Sequence, residues 1–287
     1  RNDADTLKRV QAFLKDSVTV EVAAARVGDG AWLPSASLAA PKAGQTLEVD
    51  VVVFNDRVGH RFPGSVMDNQ GTVLEVELRT KSGRVLANTN AHQLRAEVVD
   101  LNGEPIHERQ THQFVAAVWN HTVPARDARA VRVGFEIPVG VAPGDLPLVV
   151  RAQVIHKTRL SELHALACSD SKTPNGAAFI SAGAKLTGQT FDPCVEAPET
   201  IMGASTVALI GRGSPSFEQA YRRGLALSVS LQEYLAEAEQ AFRFASAVAK
   251  TKDEQGRATW GLAAIAGKRG QTDEALKLLK QAEVLLG

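Results

Sequence analysis

The sequence is first informative through what it has little of. Aromatic residues make up only 5% of the 287 residues, and the 32 Lys and Arg residues are balanced by 32 Asp and Glu residues. A net charge of zero gives no support to a nucleic acid or an anionic membrane as the partner. No apolar run approaches the roughly 20 residues that a membrane-spanning helix needs. We therefore expect a folded protein without a nucleic-acid partner or a transmembrane segment.

Sequence signatures of catalysis and of cofactor attachment are also missing. There is no His-Glu-x-x-His, no Gly-x-Ser-x-Gly, no P-loop and no dinucleotide fingerprint followed by a suitable acid. Because Cys-x-x-Cys-His is absent, this chain cannot attach a c-type haem through that motif. No nucleophile–base pair can be named, so an enzyme is the least favoured class. A carbohydrate-binding protein is also disfavoured, because so few aromatic residues leave no obvious stacking platform for sugars.

The two cysteines, Cys168 and Cys194, are too few for a zinc ribbon. A disulfide between them would suit an oxidising compartment and contribute about 3 kcal/mol on the chain-entropy model. The alternative is two unrelated buried thiols. We favour the disulfide because the intervening segment is rich in Gly, Ser, Thr and Pro and has little core of its own. Residues 161–213 are accordingly predicted to be a Cys-bracketed loop or linker, with one or two helical turns at Leu160–Cys168.

Apolar and polar residues alternate in a series of short segments between residues 18 and 160, as at Leu47–Val53 and Leu74–Leu78. Such alternation is typical of antiparallel strands with one face inward. Turn sequences, for example Asn102-Gly103, separate the segments, and no long helix interrupts them. We predict an immunoglobulin-like antiparallel β-sandwich of seven or eight strands over residues 18–160.

Both ends of the chain have helical patterns. Residues 1–17 place Leu7, Val10 and Phe13 on one face and are predicted to form a helix, the tail of a preceding domain. Residues 214–287 are rich in Ala and Leu and are predicted to form four helices. Two blocks of this region match at an offset of 37 residues, close to the 34 of tetratricopeptide repeats. A tetratricopeptide-like helical segment is predicted there, with a plain four-helix appendage as the alternative.

One corner of the predicted sandwich concentrates unusual residues. The strand Val51–Phe54 runs into Gly59–Gly64, where two glycines permit unusual backbone geometry and Pro63 fixes φ. These residues would hold His60 and Arg61 in a defined place at a strand end. Either their side chains satisfy nearby carbonyl groups, or they form a site that meets a cofactor edge or a partner from outside.

Two further histidine groups are candidates for a metal site. Trp119 and His121 are two residues apart on a predicted strand, so both side chains lie on one face. This arrangement resembles that of a family of surface copper-binding proteins, in which a modified Trp and two His residues hold copper. His107 and His112 would reach one ion only if the connecting backbone bends. The alternative for both groups is a set of polar or aromatic residues without a ligand.

Taken in order along nearly the whole chain, the motifs resemble the C-terminal portion of periplasmic multihaem c-type cytochromes that carry tetratricopeptide repeats. The matching motifs are the Gly-His-x-Phe-Pro-Gly corner (59–64), a Glu-x-Glu strand and Ser-Gly turn (74–83), an Ala-His pair (91–92), a segment resembling Tyr-Asp-Asn/His-Thr-Ile-Pro (119–124), a valine-rich strand and the helical repeats. The family's haem-attachment motifs are absent, so the chain resembles its haem-free part.

The resemblance implies a non-catalytic docking and structural module of a multihaem electron-transfer assembly, outside the cytoplasm in the periplasm or at the cell surface. Its haem would be carried by an upstream segment or a partner subunit, and other proteins would bind the helical repeats. His60 is the first residue expected to contact such a haem, with Arg61 beside it; the next candidates are His92, His107 and His112. The alternative is a surface copper or other metal-binding protein using Trp119 and His121.

Overall fold

The computed structural model describes residues 4–64, 68–106, 110–213, 216–229 and 234–287. Its helices are α1 (Ala4–Leu14), α2 (Ser161–Ser171), α3 (Pro174–Thr187), α4 (Phe217–Ser228), α5 (Leu235–Val248), α6 (Lys252–Lys268) and α7 (Thr272–Leu286). Its strands are β1 (Thr19–Val27), β2 (Leu33–Pro34), β3 (Thr46–Phe54), β4 (Gly71–Arg79), β5 (Val85–Gln93), β6 (Ala96–Val99), β7 (Ala116–Asn120), β8 (Ala128–Glu136), β9 (Val149–Lys157) and β10 (Thr200–Ala208).

All strand pairs in the described ranges are antiparallel. One four-stranded sheet, the first sheet, has the order β2-β1-β3-β8, and the second sheet has the order β10-β9-β4-β5. A smaller sheet pairs β6 with β7. The main hydrophobic core combines buried residues of both four-stranded sheets, among them Val49 and Val51 from β3 and Val150 and Val154 from β9. Antiparallel sheets followed by C-terminal helices confirm the predicted class in its coarse form.

Strand β4 has the alternating burial that its sequence predicts, with Leu74, Val76 and Leu78 facing the core. Strand β3 differs because both of its faces are covered. Val51 packs in the core between the sheets, while Val52 contacts Ala226 of α4 on the opposite face. Asp50, read from the sequence as part of a solvent face, is therefore fully buried. Helix α4 covers the outer face of the first sheet.

The four C-terminal helices pack closely through small residues. Gly224 of α4 and Gly261 of α6 lie against the ring of Phe242 in α5, where a Cβ atom at either position would overlap that ring. The alanines matched by the 37-residue offset are buried in both blocks, as Ala238 and Ala275 illustrate. The partner of Phe242 in the second block is Leu279, which is 42% exposed. The tetratricopeptide character stays a prediction.

A buried ionic network joins these helices to the first sheet. Arg132 Nε and Arg223 Nη2 each donate to the Asp50 carboxylate, both at 2.8 Å, and Arg132 also pairs with Glu237 of α5. Trp32 lies beneath three guanidinium groups, with Arg132 4.2 Å from its ring centre. Because Asp50 is wholly removed from water, its charge depends on these two arginines.

The segment 161–213 differs from the loop that the sequence predicted. It contains α2 and α3, and then β10, which pairs with β9 along its whole length. The predicted disulfide is confirmed, since Cys168 is bonded to Cys194. Neither α2 nor α3 has a buried residue, and Phe179 is 81% exposed. The disulfide therefore links the two ends of a helical segment that has no hydrophobic core of its own.

Helix α1 lies within residues 1–17, the segment predicted to be helical, and contacts β10. None of its residues is buried, and Phe13 is 84% exposed. Among the described helices, none is long and apolar enough to cross a membrane.

We expect Asp50→Ala to lower the free energy of unfolding by about 3 kcal/mol, because it leaves two arginines near a buried position without their shared carboxylate. Urea unfolding followed by circular dichroism measures the change. Glu274→Ala is the control, since it removes an exposed ion pair with Lys277 and should change stability by less than about 1 kcal/mol. Equal losses in the two variants would contradict the assigned role of Asp50.

Candidate functional site

The corner after β3 is held together by one buried side chain, Asn55. Its Nδ2 donates to the carbonyl oxygens of His60 (2.7 Å) and Val123 (3.1 Å), and its Oδ1 accepts from the backbone N–H of Val58 (3.1 Å). Phe62 forms two backbone hydrogen bonds with Val123, and its ring is buried in the main core. The corner is thus held in place by hydrogen bonds to several of its backbone groups.

His60 is oriented within this corner while remaining exposed. Its Nδ1 is 2.8 Å from the Arg61 carbonyl oxygen. A carbonyl oxygen can only accept, so Nδ1 is the donor, and in the neutral imidazole the lone pair is then on Nε2. A Cβ atom at position 64 would overlap the His60 ring, so a larger residue there would displace the imidazole from this orientation. This is the arrangement in which a histidine is prepared to act as an acceptor or a ligand through Nε2.

An open cleft of about 620 Å³ lies between this corner and the end of α1. Its apolar lining comes from both sides and includes Phe13 and Leu14 of α1, Phe62 of the corner and Met202 of β10, with His60 among the polar lining residues. The volume falls within the range of ligand-binding clefts. We call this cleft the corner cleft.

A second group of rings lies at the end of β5 and beside β7. The rings of Trp119 and His121 are stacked with centres 4.4 Å apart, and His92 at the end of β5 stacks on the other side of His121 at 4.8 Å. Sequence spacing predicted that Trp119 and His121 share a face. It did not indicate that His92, far away in the sequence, joins them.

This ring stack lines an open cleft of about 530 Å³ between β4, β5 and β8. Burial, helped by the proximity of His121 and Arg129, lowers the pKa of His92 to about 4. Burial and Arg129 also lower the pKa of His121, opposed by a hydrogen bond to the Gln93 backbone. Both imidazoles are therefore neutral at pH 7. The buried Nε2 of His92 has no hydrogen-bond partner among the described residues.

Arg95 and Glu97 support the ring stack and were not singled out by the sequence analysis. Arg95 Nη2 donates to Glu97 at 2.6 Å, both side chains are buried, and the guanidinium lies 5.5 Å from the Trp119 ring centre. The alternating pattern Arg95, Glu97 resembles an ordinary solvent face of a strand. Only the fold reveals that β7 and Trp119 cover it.

The other candidate residues do not converge with either group. Arg61 lies exposed at the corner, and His112 is exposed in a short 3₁₀ turn at Thr111–Gln113. His107 lies outside the described residues. Within the described ranges, no three His, Cys, Asp or Glu residues are placed to hold one metal ion. His60 and the His92–His121 pair line different clefts.

No family model matches the sequence, and neither does any curated protein. The fold has a distant likeness to a penta-heme cytochrome c552 from Thermochromatium tepidum, with a TM-score of 0.41 and 15% identity over 69% of this chain and 41% of that chain. Spo0M, a sporulation control protein from Bacillus subtilis, has a TM-score of 0.24 and 8% identity over 72% of this chain and 54% of its own. The chain spans about half of those structures or less, and such distant likenesses assign neither family nor function.

The lowered pKa of His92 predicts a loss of stability in acid. Unfolding restores the ordinary value of 6.5, so the unfolded chain binds the proton first as the pH falls. The stabilisation is complete above about pH 6.5 and declines towards pH 4, by at most about 3 kcal/mol. Urea unfolding between these pH values measures the slope, which His92→Gln should reduce. An exposed-residue variant, His112→Gln, should keep it; an unchanged slope in His92→Gln would refute the assignment.

Proposed function

We propose that this chain is a non-catalytic docking and structural module of an electron-transfer assembly outside the cytoplasm, in which the corner cleft contacts a haem-bearing domain or subunit. The observation that carries the proposal is His60, held in one orientation by a rigid corner at the edge of an apolar cleft. The resemblance of the Gly59–Gly64 motif to multihaem cytochromes names the class of partner.

The lining of the corner cleft fits an apolar partner with a planar edge. Phe13 is largely exposed on one side, and Phe62 and Pro63 form part of the opposite wall. An exposed aromatic residue beside a preformed cleft is the usual anchor of a protein interface. Covering this surface would exclude water from whatever lies against it.

The residues of the corner also fit the chemistry of a haem. A haem on the partner would supply the electron-transfer chemistry when the two are assembled. His60 would present its Nε2 lone pair, with the Arg61 carbonyl fixing the tautomer. The apolar walls would exclude water, which is one of the means by which a protein sets a haem potential. Arg61, exposed beside His60, would face an acidic group such as a propionate.

The finer description of the fold belongs to the same proposal. We interpret the paired sheets as an immunoglobulin-like sandwich and the helices α4–α7 as two tetratricopeptide-like repeats that bind a further protein. The exposed Leu276 and Leu279 of α7 offer the apolar surface for that contact. The disulfide suits an oxidising location such as the periplasm or the cell surface.

The docking proposal is tested by capture. The tagged chain is added to the extracytoplasmic extract of its source organism, and bound haem is measured by absorption spectroscopy. We expect haem to be captured, and Phe13→Glu or His60→Ala to reduce it at least about tenfold, as loss of an interface anchor does.

Each variant has a matched control. Phe179→Glu changes a phenylalanine of similar exposure on α3, and His112→Ala changes an exposed histidine away from the corner cleft. Both should capture haem as the unaltered chain does. Capture without haem, or equal losses in the control variants, would contradict the proposal.

A second candidate function is favoured by the ring stack. His92 and His121 are neutral imidazoles in an open cleft, and within the described part of the chain the Nε2 of His92 has no hydrogen-bond partner. Neutral imidazole is a preferred ligand of copper and zinc. The two rings are nearly parallel, so one must turn before both nitrogens can face a single ion. In this candidate function the chain binds copper beside Trp119.

Copper binding is measured by titration calorimetry with a Cu(II) salt. The candidate predicts one ion per chain, lost in His92→Ala and in His121→Ala and kept in His112→Ala. Trp119→Phe preserves an aromatic ring and separates a role of the indole from one of stacking alone. No binding to the unaltered chain would eliminate this function.

A further inference from the structure

A third cleft lies on the outer face of the second sheet, where α2 begins. Its lining includes Val73 and Glu75 of β4, which alternate with the core residues Leu74 and Val76. The volume is about 190 Å³, against about 530 and 620 Å³ for the two clefts described above. Drug-sized ligands occupy clefts of roughly 300–1,000 Å³, so this cleft fits a smaller molecule. We call it the charged cleft.

Charged side chains of both signs line the charged cleft. Among the described residues, three are cationic and three are acidic: Arg95, Lys157, Arg159, Glu75, Glu162 and Glu199. Lys157 and Glu199 are already paired with each other at 2.8 Å. A ligand with charge of one sign only would meet side chains of its own sign here, whatever that sign is. A ligand that carries both signs finds a counter-charge for each.

Arg95 has a donor that the protein itself does not use. Its guanidinium is held by Gln93 through Nε and by Glu97 through Nη2. The side chain is only 6% exposed, and its Nη1 has no hydrogen-bond partner among the described residues. A buried cationic donor without an acceptor destabilises a protein. A carboxylate bound in the cleft would supply the acceptor, and its pairing with a guanidinium is a strong, charge-assisted one.

The start of α2 adds attraction for the same carboxylate. Leu160 is the N-cap residue, and its apolar side chain cannot accept from the first backbone N–H groups of the helix. The next two residues, Ser161 and Glu162, line the charged cleft. The N-terminus of a helix favours negative charge. The exposed side chain of Arg159, one residue before the N-cap, contributes a further positive charge.

Other lining residues fit an ammonium group and an apolar side chain. One carboxylate oxygen of Glu75 accepts from Gln153 at 3.2 Å, and no described residue donates to the other oxygen. A ligand ammonium group would be a donor for that oxygen. Val73, Ile155 and Leu160 provide apolar surface in the same cleft.

We propose that the charged cleft binds a free α-amino acid with a small apolar side chain, such as valine or leucine. The ligand's carboxylate accepts from Arg95 Nη1, its ammonium group lies against Glu75, and its side chain contacts Ile155 and Leu160. This proposal does not depend on the docking function. Of the described lining residues, the charged cleft shares only Gln70 with the corner cleft.

Titration calorimetry at pH 7 with L-leucine and two derivatives tests the proposal. N-acetyl-L-leucine lacks the ammonium charge, and L-leucinamide lacks the carboxylate. We expect L-leucine to bind and each derivative to bind at least about tenfold more weakly, because each leaves one set of charged groups without its partner. If neither L-leucine nor L-valine binds, or if both derivatives bind as tightly as L-leucine, the proposal is wrong.

Substitutions in the cleft should each affect one charge of the ligand. Glu75→Gln should weaken binding of L-leucine at least about tenfold and leave that of N-acetyl-L-leucine unchanged. Arg159→Gln should weaken binding of L-leucine about threefold, since an exposed charge contributes less, and leave that of L-leucinamide unchanged. Arg95→Gln should weaken L-leucine at least about tenfold. Because Arg95 is buried and contacts Trp119, circular dichroism must show that this variant is folded.

The exposed ion pair of α7 supplies the matched controls. Lys277→Gln and Glu274→Gln remove one charge of each sign away from the charged cleft, and both variants should bind L-leucine as the unaltered chain does. Equal losses in these controls would overturn the proposal. So would a Glu75→Gln variant that weakens all three ligands alike, because Glu75 would then have no specific role towards the ammonium group.

Discussion

The burial of Asp50 is the constraint on which the arrangement of the two halves of the chain depends. A carboxylate without exposure to water is tolerated only where cationic donors surround it, and here they come from β8 and α4. Arg132 belongs to the sheet and Arg223 to the helices, so the single charge of Asp50 requires both at once. Shifting α4 along the sheet would separate Arg223 from Asp50, whereas Arg132 lies on the sheet and would stay beside it, so the Arg223–Asp50 pair restrains the position of α4.

The same reasoning explains why the first sheet differs from the second. Its outer face carries small apolar residues, such as Ala23 and Val52, that allow α4 to approach closely. Around them lie Asp50 and the Trp32 ring with its guanidinium groups. Contact between these apolar residues stabilises the packing of α4 on the first sheet, while the ionic groups determine where on the sheet α4 lies. The C-terminal helices are therefore packed on the β-structure through α4, which covers the outer face of the first sheet.

Much of the sheet structure could be predicted from period-two patterns, because Leu74, Val76 and Leu78 report directly on a core-facing surface. Strand β10 could not, since its Ala, Ser, Thr and Gly residues have little apolar contrast. It forms because β9 offers a long-range partner. Gly203 allows it to pass close to Val18. Helix α3 was missed for a related reason, since it is rich in Gly and Ala and has little apolar contrast.

The candidate sites were predictable only where their residues are neighbours in sequence. Gly59–Gly64 could be recognised because its glycines, proline and histidine are consecutive, although the role of Asn55 required the structure. His92 could not be linked with His121, because β5 and β7 meet only after the sheets have formed. The environments of His60 and His92 also differ in how much they depend on tertiary structure. His60 keeps one nitrogen accessible because local hydrogen bonds orient it at the surface, whereas His92 is kept neutral by burial in the assembled fold. A surface contact with a partner therefore suits His60, and an ion small enough to enter a cleft suits His92.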